Sequence, residues 1–337
     1  MKYFMGIETS CDETSVAILD SDKNVLSNVT FSQIDIHKNF GGVVPEIASK
    51  NHLEKIVPVL NESLKIANRK IQEIDMICVT NGPGLLSCLM IGVSTAKTLA
   101  LINKSNIFPI NHLEGHIASC FIENEIKFPA ICLVVSGGHT NIYYLKDQNN
   151  FNLRSSTLDD AAGEAFDKGA KLLGLGYPGG IQIDRISKLG NKDFHDFPVA
   201  ELGDSLDFSF SGLKTSLKYY LDKNANWKAN MNDIASSYQE AIVKSLIRNI
   251  IKATKKFSVK SILFSGGVAC NSRLRESAKE NLSRYEIIFP SSKYCTDNGA
   301  MIAMRGIQKI IENKVQSSLD FPVFSTLRRK KINLILD

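Results

Sequence analysis

No stretch of this chain is apolar for long enough to span a bilayer. The longest candidate, residues 88–102, is broken by Lys97 and falls short of the ~20 residues a spanning helix needs. The N-terminus lacks the apolar core of a signal peptide, because Glu8, Asp12 and Glu13 come too early. Paired cysteines are also missing. The seven (11, 78, 88, 120, 132, 270 and 295) are scattered, odd in number and never form CxxC, which excludes a disulfide framework or a zinc ribbon. Single reduced thiols in or near a core are the expectation. No Pro/Gly/Ser-rich linker divides the chain, and no sign of charge dominates. The 40 basic and 35 acidic side chains leave a net charge of +5, compatible with a nucleic-acid partner but not diagnostic of one. The one dense basic run is Arg328-Arg329-Lys330-Lys331. Together these absences predict a soluble, cytoplasmic protein with no membrane partner.

What is present predicts two α/β domains. The 337 residues, 44% of them apolar, suffice for two cores at roughly 100–200 residues per domain. Tyr3-Phe4-Met5-Gly6-Ile7, a polar loop from Glu8 to Thr14, and Ser15-Val16-Ala17-Ile18-Leu19 read as a hairpin. The arrangement returns at Ile131-Cys132-Leu133-Val134-Val135, then Ser136-Gly137-Gly138-His139-Thr140, then Asn141-Ile142-Tyr143-Tyr144-Leu145. Two hairpins of like design suggest an internal duplication, although their sequences share almost nothing. Helices are expected over 43–67, 87–103, 159–173, 211–221, 232–256, from about 271, and from about 297 to 312; short strands are expected at 76–79, 107–110 and 261–264. The halves should pack closely around a cleft, the usual place for a ligand.

Several motifs carry chemistry. Asn111-His112-Leu113-Glu114-Gly115-His116 sets two imidazoles at i and i+4, on one face of a helix, a bite suited to one metal ion. It is not HExxH, since the glutamate sits two residues after the first histidine. Two ligands are too few for a tight site, and ordinary surface or capping histidines are the alternative. The loop Ser136 to Thr140 carries two glycines that allow positive φ and close approach, so its N–H groups can converge on a phosphate or carboxylate; a plain hairpin turn is the alternative. Ser265-Gly266-Gly267-Val268-Ala269-Cys270-Asn271 follows a strand and opens a helix, a context suited to anions, though it is neither GxGxxG nor a P-loop. Asp159 to Lys168 begins a helix with carboxylates, and Asp167 either reaches a ligand hydroxyl or forms a salt bridge. Tyr177-Pro178-Gly179-Gly180 precedes a helix that bears Asp184. Asp297-Asn298-Gly299-Ala300 reads as a helix start with Asp297 near the cap. Phe208 to Lys214 has two serines beside a glycine but no partner histidine, which argues against a serine nucleophile.

Taken in order, Gly6 to Thr14, Asn111 to His116, Val135 to Thr140, Asp159 to Lys168, Tyr177 to Gly180, Phe208 to Lys214, Gly266 to Asn271 and Thr296 to Ala300 resemble the tRNA adenosine threonylcarbamoyltransferase family (bacterial TsaD, relative of the KEOPS catalytic subunit). The resemblance runs from residue 5 to about 305. It implies an α/β, two-lobed actin/hexokinase/Hsp70-like ATPase (ASKHA) fold, which suits the duplicated hairpins. The expected domains are 1–110 as the first lobe, with a helix of about 297–320 packing back on it, then 111–296 as the second lobe with helical insertions, and 321–337 as a tail of unknown role.

The resemblance also implies a reaction. The threonylcarbamoyl group of threonylcarbamoyl-AMP passes to N6 of the adenosine beside the anticodon in tRNAs reading codons that begin with A, releasing AMP. Metal ligands then fall on His112, His116 and Asp297, for one divalent ion, iron or zinc. Substrate contacts fall on Val135, Ser136, Gly137, Gly138, His139, Asp167, Gly180, Asp184 and Asn271, and Asp12 and Glu13 match acidic residues needed for activity. ATP or ADP is a further candidate for the same cleft. Implied partners are tRNA, an inactive paralogue of the same fold (TsaB-like), a small P-loop ATPase (TsaE-like) and the upstream threonylcarbamoyl-AMP synthase. The chemistry is coherent, because a delocalised exocyclic amine needs an activated donor, a Lewis acid, oxyanion donors and a base. Competing readings are an ATPase or small-molecule kinase of this fold, a metallopeptidase, and a non-catalytic scaffold. Three features depart from the family pattern: Cys270 stands where a small residue is usual, Ile181 where proline is common, and the chain beyond about 321 matches nothing.

Overall fold

The computed structural model describes residues 1–311 and 317–325; the basic run at 328–331 lies outside the described residues. Elements in chain order are β1 (Tyr3–Glu8), β2 (Glu13–Asp20), β3 (Val25–Ser32), α1 (Ile34–His37), α2 (Pro45–Ile66), β4 (Met76–Gly82), α3 (Leu86–Asn103), β5 (Asn106–Asn111) and α4 (His112–Ser119). There follow β6 (Ala130–Val135), β7 (Thr140–Leu145), β8 (Phe151–Ser156), α5 (Ala162–Leu172), α6 (Gly179–Ser187), α7 (Ser211–Lys223), α8 (Met231–Lys256), β9 (Ser261–Ser265), α9 (Ser272–Leu282), β10 (Glu286–Ile288), α10 (Ser292–Cys295) and α11 (Gly299–Ile311). One compact unit comprises Met1–Ser32, Pro45–Gly115 and the described residues from Asn298; the other comprises Gln33–Val44 and His116–Asp297.

Each unit holds one five-stranded sheet, and the two sheets are wired alike. Their strand orders are β3-β2-β1-β4-β5 and β10-β9-β6-β7-β8. In both, an antiparallel three-strand meander is extended by two parallel strands that return through helices. The expected duplication is therefore real at the level of topology, and each expected hairpin is the first two strands of a meander.

The strands at the centre of each sheet are buried on both faces, which is why they read as continuous apolar runs. Met5 and Ile7 join Ile56, Leu60, Val93 and Ala96 of α2 and α3 in one core. On the opposite face Gly6 meets α11 so closely that a Cβ there would lie 2.0 Å from the Gly299 carbonyl oxygen. α3 is, among the described residues, the one helix long and apolar enough to cross a membrane by composition. Its Cys88, Leu89, Val93, Ala96 and Ala100 are nonetheless buried, with Val93, Ala96 and Ala100 in that same core. In the second unit, Ile131, Leu133 and Val135 of β6 pack with Phe166 of α5 and with Tyr238, Ile242 and Leu246 of α8.

α5 and α11 begin later than the sequence suggests. α5 starts at Ala162 rather than 159, because Asp159 is turned outward to α7, accepting from the Phe210 N–H (2.8 Å) and the Ser211 hydroxyl (2.9 Å). Partial burial opposes ionisation of Asp159, but those bonds and one from Ser209 outweigh it and hold the carboxyl below its usual range. α11 starts at Gly299, and the Asn298 side chain caps it by accepting from the Met301 N–H at 3.0 Å. Asp297, expected near that cap, is left for another role. The expected final helix was to reach 320; residues 312–316 lie outside the described residues, and 317–325 are not helical. That last stretch packs on the first unit instead. The Asn81 side chain donates to the Pro322 carbonyl (3.0 Å), the Phe324 N–H donates to the Asn81 carbonyl (3.0 Å), and Phe321 lies under the Lys97 ammonium (4.4 Å).

Candidate functional site

The parallel strands β1, β4 and β5 end at Glu8, Gly82 and Asn111, and α4 begins at once after the last of these. Carboxyl ends of parallel strands are where α/β proteins gather ligands. The Asn111 side chain accepts from the N–H groups of Leu113 (2.9 Å) and Glu114 (3.2 Å), which fixes the first turn of α4. His112 and His116 then project from one face of that turn, both buried. The His116 Nε2 atom lies 3.1 Å from Asp297 Oδ1.

One donor atom from each of His112, His116 and Asp297 lies within 4.8 Å of the others. Donors held by one ion at bonds of about 2.1 Å span up to ~4.2 Å, so a small side-chain adjustment suffices. Two imidazoles and one carboxylate are a donor set suited to zinc or iron with positions left open. A supporting contact strengthens the fit. His112 Nδ1 sits 3.1 Å from Glu8 Oε2 and 3.1 Å from the Ser10 hydroxyl, so Nε2 is the nitrogen it could offer an ion. A carboxylate behind a ligand imidazole fixes its tautomer and raises its basicity. Glu8 is fully buried and is itself oriented by the Ser10 N–H and the Thr80 hydroxyl (2.6 Å).

Glu114, between the two histidines in sequence, is drawn elsewhere. Its carboxylate meets the Arg305 guanidinium and the Lys309 ammonium of α11, each at 2.9 Å. Burial pushes this carboxyl up, but Lys309 and Arg305 outweigh it and hold the pKa below the usual carboxylate range. A carboxylate so engaged is a poor base for the water-activating step of a peptidase.

The other expected residues fall into two groups. Ser136 to His139 form the β6–β7 turn, closed by the Ser136 N–H on the His139 carbonyl (2.9 Å). Neither Gly137 nor Gly138 adopts positive φ, contrary to expectation. A Cβ at either position would meet nothing within 4 Å, so what the glycines keep here is an open backbone. α5 abuts this turn, its Ala162 N–H on the Thr140 hydroxyl (2.9 Å) and its Gly163 N–H on the Ser136 carbonyl (3.2 Å). Farther along α5, Lys168 pairs with Asp160 and Glu164, and Asp167 accepts from the Gly179 N–H (2.7 Å) and so anchors α6 beside Gly180. From α6, Asp184 accepts from the N–H (3.2 Å) and hydroxyl (2.8 Å) of Ser272. The preceding Asn271 caps α9 through Leu274 N–H (2.9 Å) and donates to the Gln239 side chain (2.7 Å). Val135 is tied to this group as well, because Gly266, at φ +90°, presses against its backbone. Only glycine fits there, since a Cβ would stand 2.3 Å from the Val135 oxygen.

Asp12 ends the first hairpin loop and is buried, and Glu13 opens β2, its carboxylate accepting from the Ser32 hydroxyl at 3.3 Å. His52 of α2 clamps that loop, with Nδ1 2.7 Å from the Thr14 hydroxyl and Nε2 2.9 Å from the Cys11 carbonyl. Sequence reasoning missed Glu8, Ser10 and His52. Only Glu8 offered a signal, an acid closing an apolar strand.

The sequence model of the family described as "TsaD: tRNA N6-adenosine threonylcarbamoyltransferase" matches residues 24–304. The tRNA N6-adenosine threonylcarbamoyltransferase of Syntrophus aciditrophicus (strain SB) is 49% identical over 310 residues, 90% of each chain. Two solved structures share the fold at far lower identity. HypF of T. kodakarensis superposes with a TM-score of 0.64 at 13% identity, over 94% of this chain and 48% of HypF. Component A of the Acidaminococcus fermentans (R)-2-hydroxyglutaryl-CoA dehydratase superposes with a TM-score of 0.56 at 16% identity, over 93% of this chain and 100% of its own. The two like-wired sheets are thus those of the actin/Hsp70-like ATPase fold. The chain belongs to the tRNA N6-adenosine threonylcarbamoyltransferase family, and it is an acyltransferase.

Proposed function

We propose that this chain transfers the threonylcarbamoyl group of threonylcarbamoyl-AMP to N6 of the adenosine beside the anticodon, in tRNAs reading codons that begin with A. The observation that carries this reading, beside family membership, is the buried His112, His116 and Asp297 set with Glu8 behind His112. These three residues would hold a divalent ion, iron or zinc, which when bound would supply a Lewis acid for the carbamoyl oxygen or the departing AMP phosphate.

The remaining roles fall to the chain's own groups. Glu8 and Ser10 keep the His112 ring turned so that Nε2 presents its lone pair. Backbone N–H groups at Gly137 and Gly138, with nothing packed over them, receive phosphate or developing oxyanion charge. Asp167, Gly180, Asp184 and Asn271 position the nucleotide part of the donor, whether threonylcarbamoyl-AMP or ATP/ADP. A carboxylate of the first hairpin, Asp12 or Glu13, takes the proton that N6 loses as the new C–N bond forms and the bond to phosphate breaks. tRNA binding at a net charge of only +5 rests on a local basic surface shared with partners, and it weakens with salt. The partners in this reading are the TsaB-like paralogue, the TsaE-like ATPase and the synthase that makes the donor, all in the cytoplasm.

The test is a mass-spectrometric nucleoside assay with threonylcarbamoyl-AMP, unmodified tRNA and the pathway partners. Wild type forms threonylcarbamoyladenosine and His112→Ala does not. Equal product from both removes His112 from the reaction. No product from either, with the partners shown active beside a known transferase, leaves the ATPase reading. The peptidase reading is disfavoured by the engagement of Glu114 with Arg305 and Lys309.

A further inference from the structure

The chain from Thr9 to Thr14, which joins β1 to β2, is braced from two sides. Its first residues rest on the start of α3. There the Leu85 N–H donates to the Ser10 carbonyl (2.8 Å), and the Thr9 hydroxyl donates to the Cys88 carbonyl (2.9 Å). Its last residues rest on one side chain of α2, His52, which is fully buried. The Cys11 carbonyl can only accept, so His52 Nε2 carries a proton and donates to it (2.9 Å). That leaves Nδ1 to accept from the Thr14 hydroxyl (2.7 Å). The two bonds grip the chain on either side of Asp12 and Glu13. The helix that delivers them is itself fixed, because Ile56, one turn past His52, lies in the core of the first unit.

Asp12 stands apart from its neighbours. The side chains of Glu8, Thr9, Ser10, Glu13 and Thr14 all have partners. The Asp12 carboxylate, in a residue only 8% exposed, has no hydrogen-bond or ion-pair partner among the described residues. A carboxylate so placed without a donor costs stability, and such a group calls for an explanation. Its position supplies one. Ser10, two residues earlier, reaches His112 Nδ1 at 3.1 Å, so the loop that carries Asp12 also touches the candidate metal site.

We infer that His52 is a positioning residue for acyl transfer: it holds the loop so that the Asp12 carboxylate, rather than that of Glu13, receives the proton of the attacking amine. The inference rests on the acyl-transfer reading and deepens it. As N6 bonds to the carbamoyl carbon, the bond from that carbon to the phosphate oxygen breaks and AMP leaves with the electron pair. The N6 proton passes to Asp12. Glu13 is less suited, because it already accepts from the Ser32 hydroxyl (3.3 Å), and a hydrogen bond to a carboxylate lowers its appetite for a proton. The clamp matters because a reacting group misplaced by about 1 Å loses roughly 100-fold in rate.

The test measures kcat and KM for threonylcarbamoyladenosine formation by the full-length chain with its pathway partners, threonylcarbamoyl-AMP and unmodified tRNA. His52→Ala should lower kcat about 10- to 100-fold and leave KM for the donor within about twofold. His52→Gln, whose amide can still donate to the Cys11 carbonyl, should recover most of that loss. Asp12→Asn should lose about 10²- to 10⁴-fold. Adding His52→Ala to Asp12→Asn should then slow the reaction no further, since no base is left to position. A merely structural histidine would slow both backgrounds alike. Where His52→Ala fails to fold, Thr14→Val removes one of the two bonds and carries the same comparison. The inference is overturned by a full His52 effect in the Asp12→Asn background, by His52→Gln as slow as His52→Ala, or by Asp12→Asn at the wild-type rate. No product from wild type overturns the acyl-transfer reading and this inference with it.

Discussion

Replacing Glu8 with glutamine tests the support behind the proposed metal ligands at almost constant volume. In the native arrangement Oε1 accepts from the Ser10 N–H, while Oε2 faces both the Thr80 hydroxyl (2.6 Å) and His112 Nδ1 (3.1 Å). A glutamine must keep its one oxygen toward the Ser10 N–H, a donor that cannot reverse. Its NH2 group then occupies the place of Oε2. Thr80 adapts by turning its hydroxyl, but His112 must now accept at Nδ1, which moves the ring proton to Nε2, the nitrogen it would offer an ion. Binding an ion requires that proton to leave or the new hydrogen bond to break, at a cost of about 1–3 kcal/mol. Loss of a carboxylate behind a ligand histidine costs about 10- to 100-fold in metal affinity, or roughly 1.4–2.8 kcal/mol, which agrees with that figure. The measurement is competition for zinc against a chromogenic chelator at neutral pH, with wild type, Glu8→Gln and His112→Ala side by side. Zinc affinity within twofold of wild type for Glu8→Gln, while His112→Ala binds poorly, would refute the reasoning: His112 would then ligate without needing the Glu8 carboxylate.

Glu114→Ala removes the carboxylate that neutralises the Arg305 guanidinium, whose side chain is only 4% exposed, and should destabilise the protein by about 3 kcal/mol at pH 7 in urea unfolding. The folded pKa of Glu114 lies below its unfolded value, so its stabilisation is complete above ~4.3 and fades as pH falls through the folded pKa. The gap between wild type and variant should therefore shrink in acid, and a gap independent of pH would show that lost packing is the cause. Gly266→Ala should cost about 3 kcal/mol or more, because a φ of +90° and a Cβ 2.3 Å from the Val135 oxygen penalise it together. A loss under ~1 kcal/mol would mean that the turn relaxes freely.

What the sequence disclosed of the fold follows burial. β1, β6 and β9 are buried along nearly their whole length and announce themselves as apolar runs. β3 and β8 lie at sheet edges, mix Ser, Asn and Arg with Val, Leu and Phe, and escaped notice for that reason. A repeated hairpin was visible, whereas the third strand that completes each meander was not. The start of α5 was misplaced for a different cause. Acidic residues favour a helix start through the dipole, but Asp159 serves the start of α7, fifty residues on, and no local pattern encodes so distant a partner.

The site divides along the same line. The His112 and His116 pair was readable because one helix sets its spacing, and helical geometry turns i and i+4 into neighbours. Asp297 had no such signal. Read locally, Asp297-Asn298-Gly299 offers two side chains that could cap α11, and aspartate is as good a cap as asparagine. The structure separates them: Asn298 meets the Met301 N–H, and Asp297 meets His116. A carboxylate engaged by backbone N–H groups has less charge to offer a metal, so a neutral amide at the cap suits an aspartate that stands beside His116. The same division governs α4, where neutral Asn111 caps the helix and Glu114 is held by Arg305 and Lys309, so that no second carboxylate of that helix competes with Asp297. Capping asks for a short acceptor, ligation beside two neutral imidazoles would ask for charge, and the chain places an asparagine next to each segment of the candidate metal site.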